Sequence, residues 1–267
     1  NDRARKLVPR VRIPPLPPFL QKMNKKPLIT IITVCKNSER TIEKTIKSVI
    51  NQKYQNIEYI LIDGKSDDKT LTKIKKYKKK INKIICEKDR GIYDAFNKGL
   101  KLAKGDLIGF VNSDDILVKN SLNILVKYFI NYPEKDFFFG AVKKNWEIRY
   151  GYKPWKIHFM WGFYSSHSTG FFIKKKAAKK LGNYKLKYKY SADYDYFYRM
   201  IVHHKFKGIG TKKNELFGIF KSGGYSSRIN FFDHLCECTR IRIDNKQNKL
   251  IVLITFIMKF LYNLKKI

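Results

Sequence analysis

Short apolar runs and longer amphipathic segments alternate along residues 28–117. The apolar runs are rich in Ile and Val and end in polar residues, which predicts buried strands. The segments between them carry apolar residues three and four positions apart, which predicts helices, the first with Ser38 as its N-cap. The predicted strands are 28–35, 56–63, 81–88 and 106–112, and the predicted helices are 38–52, 66–80 and 91–105. This alternation predicts an α/β fold with a parallel or mostly parallel sheet covered on both faces.

The pattern is less regular after residue 120. The predicted elements are helices at 121–132 and 191–204, an aromatic strand-like segment at 136–152, and strands at 167–175 and 214–220. Residues 228–267 are predicted to be helical, and they become strongly apolar from Leu250 onwards.

Acidic residues follow several of the predicted strands in the first half of the chain. Asp63 and Asp89 each lie at or just after a strand end, and Asp114 and Asp115 follow the fourth strand as a pair. Adjacent carboxylates repel each other, so they persist either solvated in a turn or sharing a cation. Because ligands bind beyond the carboxyl ends of parallel strands, these acids predict a site for a cation and a nucleotide.

Composition and charge limit the class of protein. The chain has 267 residues, of which 43% are hydrophobic, so it is globular and long enough for a sizeable core. The formal net charge of +35 predicts an anionic partner such as nucleic acid, a membrane surface or a phosphorylated substrate. A solvated lysine-rich face is the alternative explanation.

The chain contains four cysteines. Cys35 and Cys86 lie in apolar strand-like runs and are expected to be buried thiols. Cys236 and Cys238 form only a weak metal-binding pattern, because no second cysteine pair lies near them in the sequence. We expect a reducing cytoplasm, with no secretory signal peptide and no apolar run of about 20 residues that would span a membrane.

Five motifs in order give the chain a family resemblance: ITIITVCKN, YILIDGKSDDKT, DRGIYDAFNKGLKLAKGD, FVNSDD and SADYDYFYRM. Together they resemble inverting family 2 glycosyltransferases of the GT-A fold, in particular bacterial enzymes that build O-antigen and related surface polysaccharides. The resemblance covers about residues 28–225. It implies a Rossmann-like, nucleotide-binding mixed sheet flanked by helices, with a C-terminal helical extension.

The expected domain organisation follows from this resemblance. A GT-A catalytic domain would occupy 23–228, with a nucleotide-binding half at about 28–116 and an acceptor half at about 117–228, followed by a helical, membrane-associating tail at 229–267. Residues 1–22 are rich in Arg and Pro and contain LVPR, which resembles a protease site used in expression vectors. We expect this arm to be vector-derived, and the alternative is a natural Pro-rich docking arm.

The resemblance also implies residues that bind the donor. Thr33 and Val34 would line the base pocket, and Asp63 would contact the uracil or ribose of a UDP-sugar. The residues implied to flank the ribose and diphosphate are Asp89, Arg90, Asp94, Asn97 and Lys98. His167 would contact the diphosphate, the metal or the acceptor.

The metal site is implied by the fourth motif. Asn112, Ser113 and Asp114 occupy the place of the family's Asp-x-Asp sequence, with Asn in the first position, and Asp115 follows. The metal would be Mn²⁺ or Mg²⁺, since oxygen ligands suit both ions. The sequence leaves open which of Asp114 and Asp115 binds it directly.

The catalytic base is implied by the fifth motif. Asp193 lies where the family has its base, usually in a Glu-Asp pair, but Ala192 replaces the glutamate here. Asp195 is the rival candidate. A carboxylate in this place would remove the proton of the acceptor hydroxyl.

The implied activity is an inverting transfer of a hexose from a UDP-sugar to a lipid-diphosphate-linked saccharide. The expected partners are this donor, this acceptor and an anionic membrane surface, with no nucleic acid; a homo-oligomer is compatible with the sequence. We expect a peripheral enzyme on the inner face of the bacterial cytoplasmic membrane, held by the apolar tail and its lysines. The alternative for the tail is a helix packed on the core, and the alternative functions are a metal-dependent nucleotidyltransferase and a non-enzymatic nucleic-acid-binding protein.

Overall fold

The computed structural model describes residues 26–159, 162–166, 168–220 and 229–264. The arm at 1–22 and His167 lie outside the described residues. What we expect of them stays a prediction.

Four strands alternate with three helices in the first half of the chain, as predicted. These elements are β1 (Ile29–Cys35), α1 (Ile42–Ile50), β2 (Ile57–Asp63), α2 (Thr70–Lys75), β3 (Lys83–Cys86), α3 (Ile92–Leu102) and β4 (Leu107–Phe110).

The second half contains shorter elements. Its strands are β5 (Ile116–Leu117), β6 (Phe137–Phe139), β7 (Ala141–Lys144), β8 (Glu147–Arg149), β9 (Phe171–Lys174), β10 (Gly208–Gly210) and β11 (Leu216–Phe220). Its helices are α4 (Ser121–Asn131), α5 (Lys175–Leu181), α6 (Ala192–Tyr198), α7 (Phe231–Asp244) and α8 (Lys249–Tyr262). The predicted helix at 191–204 continues past α6 as a π-helix over Arg199–His203. The aromatic segment predicted at 136–152 forms three strands rather than one.

The main sheet has seven strands in the order β10-β6-β9-β4-β1-β2-β3. Strands β3, β2, β1 and β4 are parallel, while β9 runs antiparallel to both β4 and β6. The sheet is therefore mixed, as the resemblance implied. A second sheet has the order β5-β11-β7-β8.

Both faces of the main sheet are buried. On one face, Ile32 and Val34 of β1 belong to a cluster with Phe96 of α3. On the other face, Ile29 and Ile31 pack in a cluster with apolar residues of α1. Helix α3 lies close to the sheet at Gly99, where an added Cβ would overlap with the side chain of Ile32. Because helices cover both faces, the ends of the strands are the part of this sheet that a ligand can approach.

Two local predictions about the helices are wrong. Helix α1 begins at Ile42 with Thr41 as its N-cap, and the Ser38 hydroxyl instead bonds to the Lys36 carbonyl and lies against Ser113. Helix α2 is much shorter than the predicted 66–80. Backbone N–H groups at its start bond to nearby carboxylates, as Thr70 does to Asp68, and such bonds compete with helix formation.

The prediction for the cysteines is half right. Cys35 is buried, but Cys86 is exposed because β3 is an edge strand of the main sheet. Cys238 is buried and Cys236 is exposed. Within the described residues, no group of three or more His, Cys, Asp or Glu side chains could hold a metal ion by itself.

The tail forms the two helices α7 and α8, as the sequence predicts. Among the described helices, none is both long enough and apolar enough to cross a bilayer.

Candidate active site

The strand-end acids meet at one edge of the main sheet. Asp63 ends β2 directly between Cys35, which ends β1, and Cys86, which ends β3. Asp89 lies against the turn that follows Asp63, because a Cβ at Gly64 would collide with the Asp89 carboxylate. The predicted convergence of these acids is therefore present in the fold.

The loop after β4 joins the same edge. The hydroxyls of Ser38, just after β1, and Ser113, just after β4, are 2.8 Å apart. On the other side, the Asn37 backbone N–H donates to the Ser66 hydroxyl, and that hydroxyl donates to Asp63 at 2.5 Å. A continuous set of hydrogen bonds thus links the loops that follow β1, β2 and β4.

The Asp63 carboxylate is fully buried and accepts hydrogen bonds from several donors. Its partners include the Ser66 backbone N–H at 3.0 Å and the Cys86 thiol at 3.1 Å. Burial, followed by the negative charge of Asp63, raises the pKa of the Cys35 thiol; the hydrogen bond to Asp63 is the main cause of the raised Cys86 pKa. Both thiols therefore stay protonated and act as donors to Asp63.

The residues implied to flank the ribose and diphosphate divide into two groups. Arg90 points into solvent with 79% of its side chain exposed, 3.7 Å from Asp94, which also pairs with Lys98 at 3.4 Å. Asp89 accepts from the Gly91 backbone N–H. Asn97, by contrast, bonds with both its oxygen and its nitrogen to the backbone of Tyr184. In this structure Asn97 therefore joins α3 to the loop before α6.

The implied base-pocket residues lie in the buried part of β1. Thr33 is fully buried, and its hydroxyl accepts a hydrogen bond from Tyr59 at 3.1 Å. Val34 is also buried, on the opposite face of the strand. Their role toward the donor remains a prediction.

The turn after β4 places its two carboxylates in different environments. Asp115 is fully buried and accepts hydrogen bonds from the hydroxyls of Ser168 at 2.7 Å and Thr169 at 3.3 Å. Asp114 is half-buried. The Thr45 hydroxyl of α1 anchors the turn between β4 and β5, because it lies within hydrogen-bond distance of the Ser113 carbonyl, at 2.9 Å, and of the Asp115 carbonyl, at 2.8 Å. This difference in burial favours Asp114 over Asp115 as the carboxylate that meets a ligand.

Asn112 supplies a second oxygen in this turn. Its Oδ1 is buried and has no hydrogen-bond partner within the part of the chain that the structure describes. Buried acceptors are nearly always satisfied, so an unsatisfied one in the same turn as the Asp114 carboxylate is suited to bind a cation. Carboxylate and amide oxygens are ligands of hard divalent cations, and such ions keep several positions for substrate phosphates. The residues present therefore fit Mg²⁺ or Mn²⁺.

The two acids of α6 also lie in different environments. Asp195 is fully buried and accepts from Lys185 at 3.1 Å, Arg199 at 2.8 Å and Asn245 at 3.0 Å. These partners occupy both carboxylate oxygens. Asp193 is half-buried in the first turn of the helix. This placement favours Asp193 over Asp195 as the group that meets a substrate.

Tyr93 is a site residue that sequence reasoning missed. It lies in α3, just after the Asp89–Gly91 loop, and its hydroxyl is 3.0 Å from Oδ1 of Asp193. Burial, followed by the negative charge of Asp193, raises the Tyr93 pKa well above its usual value, so the phenol stays protonated and donates. The motif that contains Tyr93 was visible in the sequence, but its contact with Asp193 spans 100 residues.

Comparison with known proteins identifies the family of the chain. The chain matches the family model "Glycosyl transferase family 2" over residues 30–209. It is 36% identical over 138 residues to WfaP of Escherichia coli, named as a UDP-Glc:alpha-D-GlcNAc-diphosphoundecaprenol beta-1,3-glucosyltransferase. This match covers 46% of the chain and 54% of WfaP, so the chain spans about half the length of that relative.

Solved structures show the same fold. TarS of S. aureus in complex with UDP has a TM-score of 0.65 at 17% identity, over 82% of this chain and 65% of that chain. The mannosyltransferase PcManGT from Pyrobaculum calidifontis, in complex with GDP-Man and Mn²⁺, has a TM-score of 0.60 at 15% identity, over 91% of this chain and 76% of that one. These likenesses confirm the GT-A fold. Because the family model matches most of the chain, the chain belongs to glycosyltransferase family 2.

Proposed function

We propose that this chain is an inverting, metal-dependent hexosyltransferase that moves a sugar from a UDP-sugar to a lipid-diphosphate-linked saccharide. One observation carries the proposal. Each of two acid pairs, Asp114 with Asp115 and Asp193 with Asp195, has a fully buried member held by hydrogen bonds and a half-buried member. Family membership speaks against the two alternatives, a nucleotidyltransferase and a nucleic-acid-binding protein.

Asp114 and the Asn112 amide oxygen would hold Mn²⁺ or Mg²⁺ on the donor side. Such a cation stabilises the negative charge that develops on the departing diphosphate. The Thr45 hydroxyl keeps the turn in one conformation through its bonds to the Ser113 and Asp115 carbonyls. Arg90, exposed at the same edge, adds a positive charge near the diphosphate.

Asp193 acts as the base on the acceptor side. It removes the proton from the attacking hydroxyl as the new bond to the anomeric carbon forms and the bond to the diphosphate breaks. Attack opposite the leaving group inverts the anomeric configuration. The Tyr93 hydroxyl, bonded to one carboxylate oxygen, holds Asp193 in a fixed orientation.

The name of WfaP indicates the first substrates to test. We propose UDP-glucose as donor and an N-acetylglucosamine diphosphate-lipid as acceptor, within the synthesis of O-antigen or a related surface polysaccharide. The choice among glucose, galactose and N-acetylhexosamine is made by measuring UDP release with each UDP-sugar. Sugar transfer that stops when EDTA is added supports the proposal. Transfer of a nucleotidyl group from a nucleoside triphosphate, in place of sugar transfer, contradicts it.

The tail is proposed to lie on an anionic membrane. Helix α8 has two faces, because Val252 and Thr255 are buried against the protein while an outward stripe of apolar residues is exposed. This stripe, here called the outer face of α8, consists of Leu250, Leu253, Ile254, Ile257, Met258 and Leu261. The buried face fits the alternative of a helix packed on the core, and the membrane contact is proposed for the outer face alone.

One detail of the membrane prediction changes. The sequence predicts that the lysines of the tail reach lipid phosphates, but one of them, Lys259, is half-buried, and burial lowers its pKa to about 8. Lys259 therefore does not belong to the exposed outer face, which continues past it to Leu261. The exposed Lys246 and Lys249 at the start of α8 remain available for anionic lipid.

A further inference from the structure

Helix α7 reaches back to the loop that precedes the proposed base. Glu237, on α7, accepts three backbone hydrogen bonds from this loop, each of 2.7 Å. Its Oε2 accepts from Lys189, and its Oε1 accepts from Tyr190 and Ser191. Hydrogen bonds to an ionised carboxylate are roughly twice as strong as those between neutral groups. One side chain from the tail therefore fixes the backbone of three consecutive loop residues.

The fixed loop leads directly into the helix of the base. The Ser191 carbonyl accepts the backbone N–H groups of Tyr194 and Asp195, which closes the first turn of α6 around Asp193. The buried Cys238 thiol, next to Glu237 in the sequence, adds a contact of 3.4 Å to the Ser191 hydroxyl. A shift of this loop would therefore shift the turn that carries Asp193.

The same loop also holds the partner of the base. The Tyr93 hydroxyl lies 2.9 Å from the Tyr190 carbonyl and 3.0 Å from the Asp193 carboxylate. Tyr93, Asp193 and the loop thus form one unit, and Glu237 ties this unit to α7.

We infer that Glu237 is a positioning residue for glycosyl transfer: it holds residues 189–191 so that the Asp193 carboxylate and the Tyr93 hydroxyl keep their relative orientation. The inference rests on the proposed role of Asp193. It gives the tail a part in the reaction that is separate from any membrane contact. It also gives a function to the segment around Cys236 and Cys238, which from sequence was only a weak metal pattern.

The test compares Glu237→Gln with the control Asp233→Asn. Both changes remove one negative charge from α7, but the exposed Asp233 makes none of the contacts to residues 189–191. Hydrogen exchange of the peptide that covers 189–195 is measured first, since it needs no substrate. We expect exchange at 189–191 to become at least tenfold faster in Glu237→Gln and to stay unchanged in the control.

The kinetic arm uses UDP release from the UDP-sugar that the wild-type chain uses fastest. We expect Glu237→Gln to lower kcat roughly tenfold with a donor KM within twofold of wild type. In an Asp193→Asn background the same change should have less than a twofold effect, because residues that act through one another are not additive. If Glu237→Gln does not fold, Glu237→Asp, which keeps the charge on a shorter side chain, takes its place.

The outcomes separate this inference from the proposed function. Equal losses in both backgrounds, or an unchanged kcat, overturn the positioning role of Glu237. Wild-type turnover in Asp193→Asn alone contradicts the proposed base, and the positioning role with it, whatever the exchange data show.

Discussion

At the scale of single residues, neighbouring carboxylates lie in different environments, and our assignment of their proposed roles rests on this difference. Asp114 and Asp115 are adjacent, yet only Asp115 is fully buried and bonded to Ser168 and Thr169. The same division separates Asp193 from Asp195. A buried carboxylate with all its partners in the protein stabilises the fold, while a half-buried one remains accessible to substrate or cation.

The first prediction concerns the metal-site pair. Asp114→Ala should lower transfer on the order of 10²-fold, because the charge on the departing diphosphate loses part of its stabilisation, and should leave the unfolding midpoint nearly unchanged. Asp115→Ala should instead lower the free energy of unfolding by about 1–3 kcal/mol, because two buried hydroxyls lose their acceptor. Turnover and denaturant unfolding of both variants check this. A stable, inactive Asp115→Ala beside an active Asp114→Ala would reverse the assignment.

The second prediction concerns the base. Asp193→Asn keeps the shape of the side chain but cannot accept the proton, so kcat should fall roughly 10²- to 10⁴-fold while donor affinity is kept. Asp195→Asn should destabilise the fold by about 3 kcal/mol, because Arg199 and Lys185 lose an anionic partner that is fully buried. An Asp195→Asn variant that folds normally but does not turn over, beside an active Asp193→Asn, would move the base to Asp195.

At the scale of elements, α8 has one face that packs on the protein and one face that is exposed. Its inner face is anchored by the fully buried Arg242 of α7, which donates to Thr255 at 3.0 Å and to the His158 carbonyl at 2.7 Å. Its outer face is apolar and exposed. Removing the whole helix would therefore damage the fold as well as any membrane contact, so substitutions on one face are the sharper test.

The third prediction uses the outer face of α8. Leu253 and Ile257 are 55% and 46% exposed, so changing both to Ser should hardly affect stability. Binding to anionic vesicles should weaken roughly tenfold or more, because apolar area no longer enters the lipid boundary. Vesicle sedimentation measures this, with Val252→Ser as the contrasting variant that lowers stability. Unchanged vesicle binding of the double variant would contradict the proposed membrane face.

The fourth prediction follows from the lowered pKa of Lys259. Its pKa is about 8 in the folded state and about 10.4 in an unfolded chain. Below pH 8 the side chain is charged in both states and the folded state carries the full desolvation cost. That cost shrinks as pH rises from about 8 to 10.4, because the folded protein loses the proton first.

Lys259→Met should therefore stabilise the protein at pH 7, by about 2 kcal/mol. The gain should decrease steadily toward pH 10. Denaturant unfolding at pH 7 and pH 10 measures both values, with the exposed Lys249→Met as control. A gain that is the same at both pH values would show that packing, rather than charge burial, is its cause.

At the scale of the whole molecule, the chain carries 57 basic and 22 acidic residues, so its net charge is strongly positive. A positive electrostatic potential raises the local concentration of anionic donors and favours binding to anionic lipid. Because exposed charges are screened by salt, vesicle binding should weaken as salt is raised. The part of vesicle binding that comes from the apolar outer face of α8 should remain at high salt.

The sequence predicted the first half of the fold well, since the periods of strand and helix are local and the strand-end acids follow directly from them. The sequence could not show which member of each acid pair is buried. Each buried acid has a partner that is distant in sequence: Ser168 lies 53 residues after Asp115, and Asn245 lies 50 residues after Asp195. For the same reason it missed the edge position of β3, which exposes Cys86, and the contacts of Tyr93 and Glu237 to the α6 region.

The central claim is that this chain transfers a sugar with inversion, with the help of a divalent cation. The most direct measurement is the anomeric configuration of the product made from UDP-glucose, whose glucose is α-linked, in the presence of Mn²⁺. Proton NMR should show a β-glucoside on the acceptor, and EDTA should abolish its formation. An α-glucoside, or a product that forms equally in EDTA, would contradict the account.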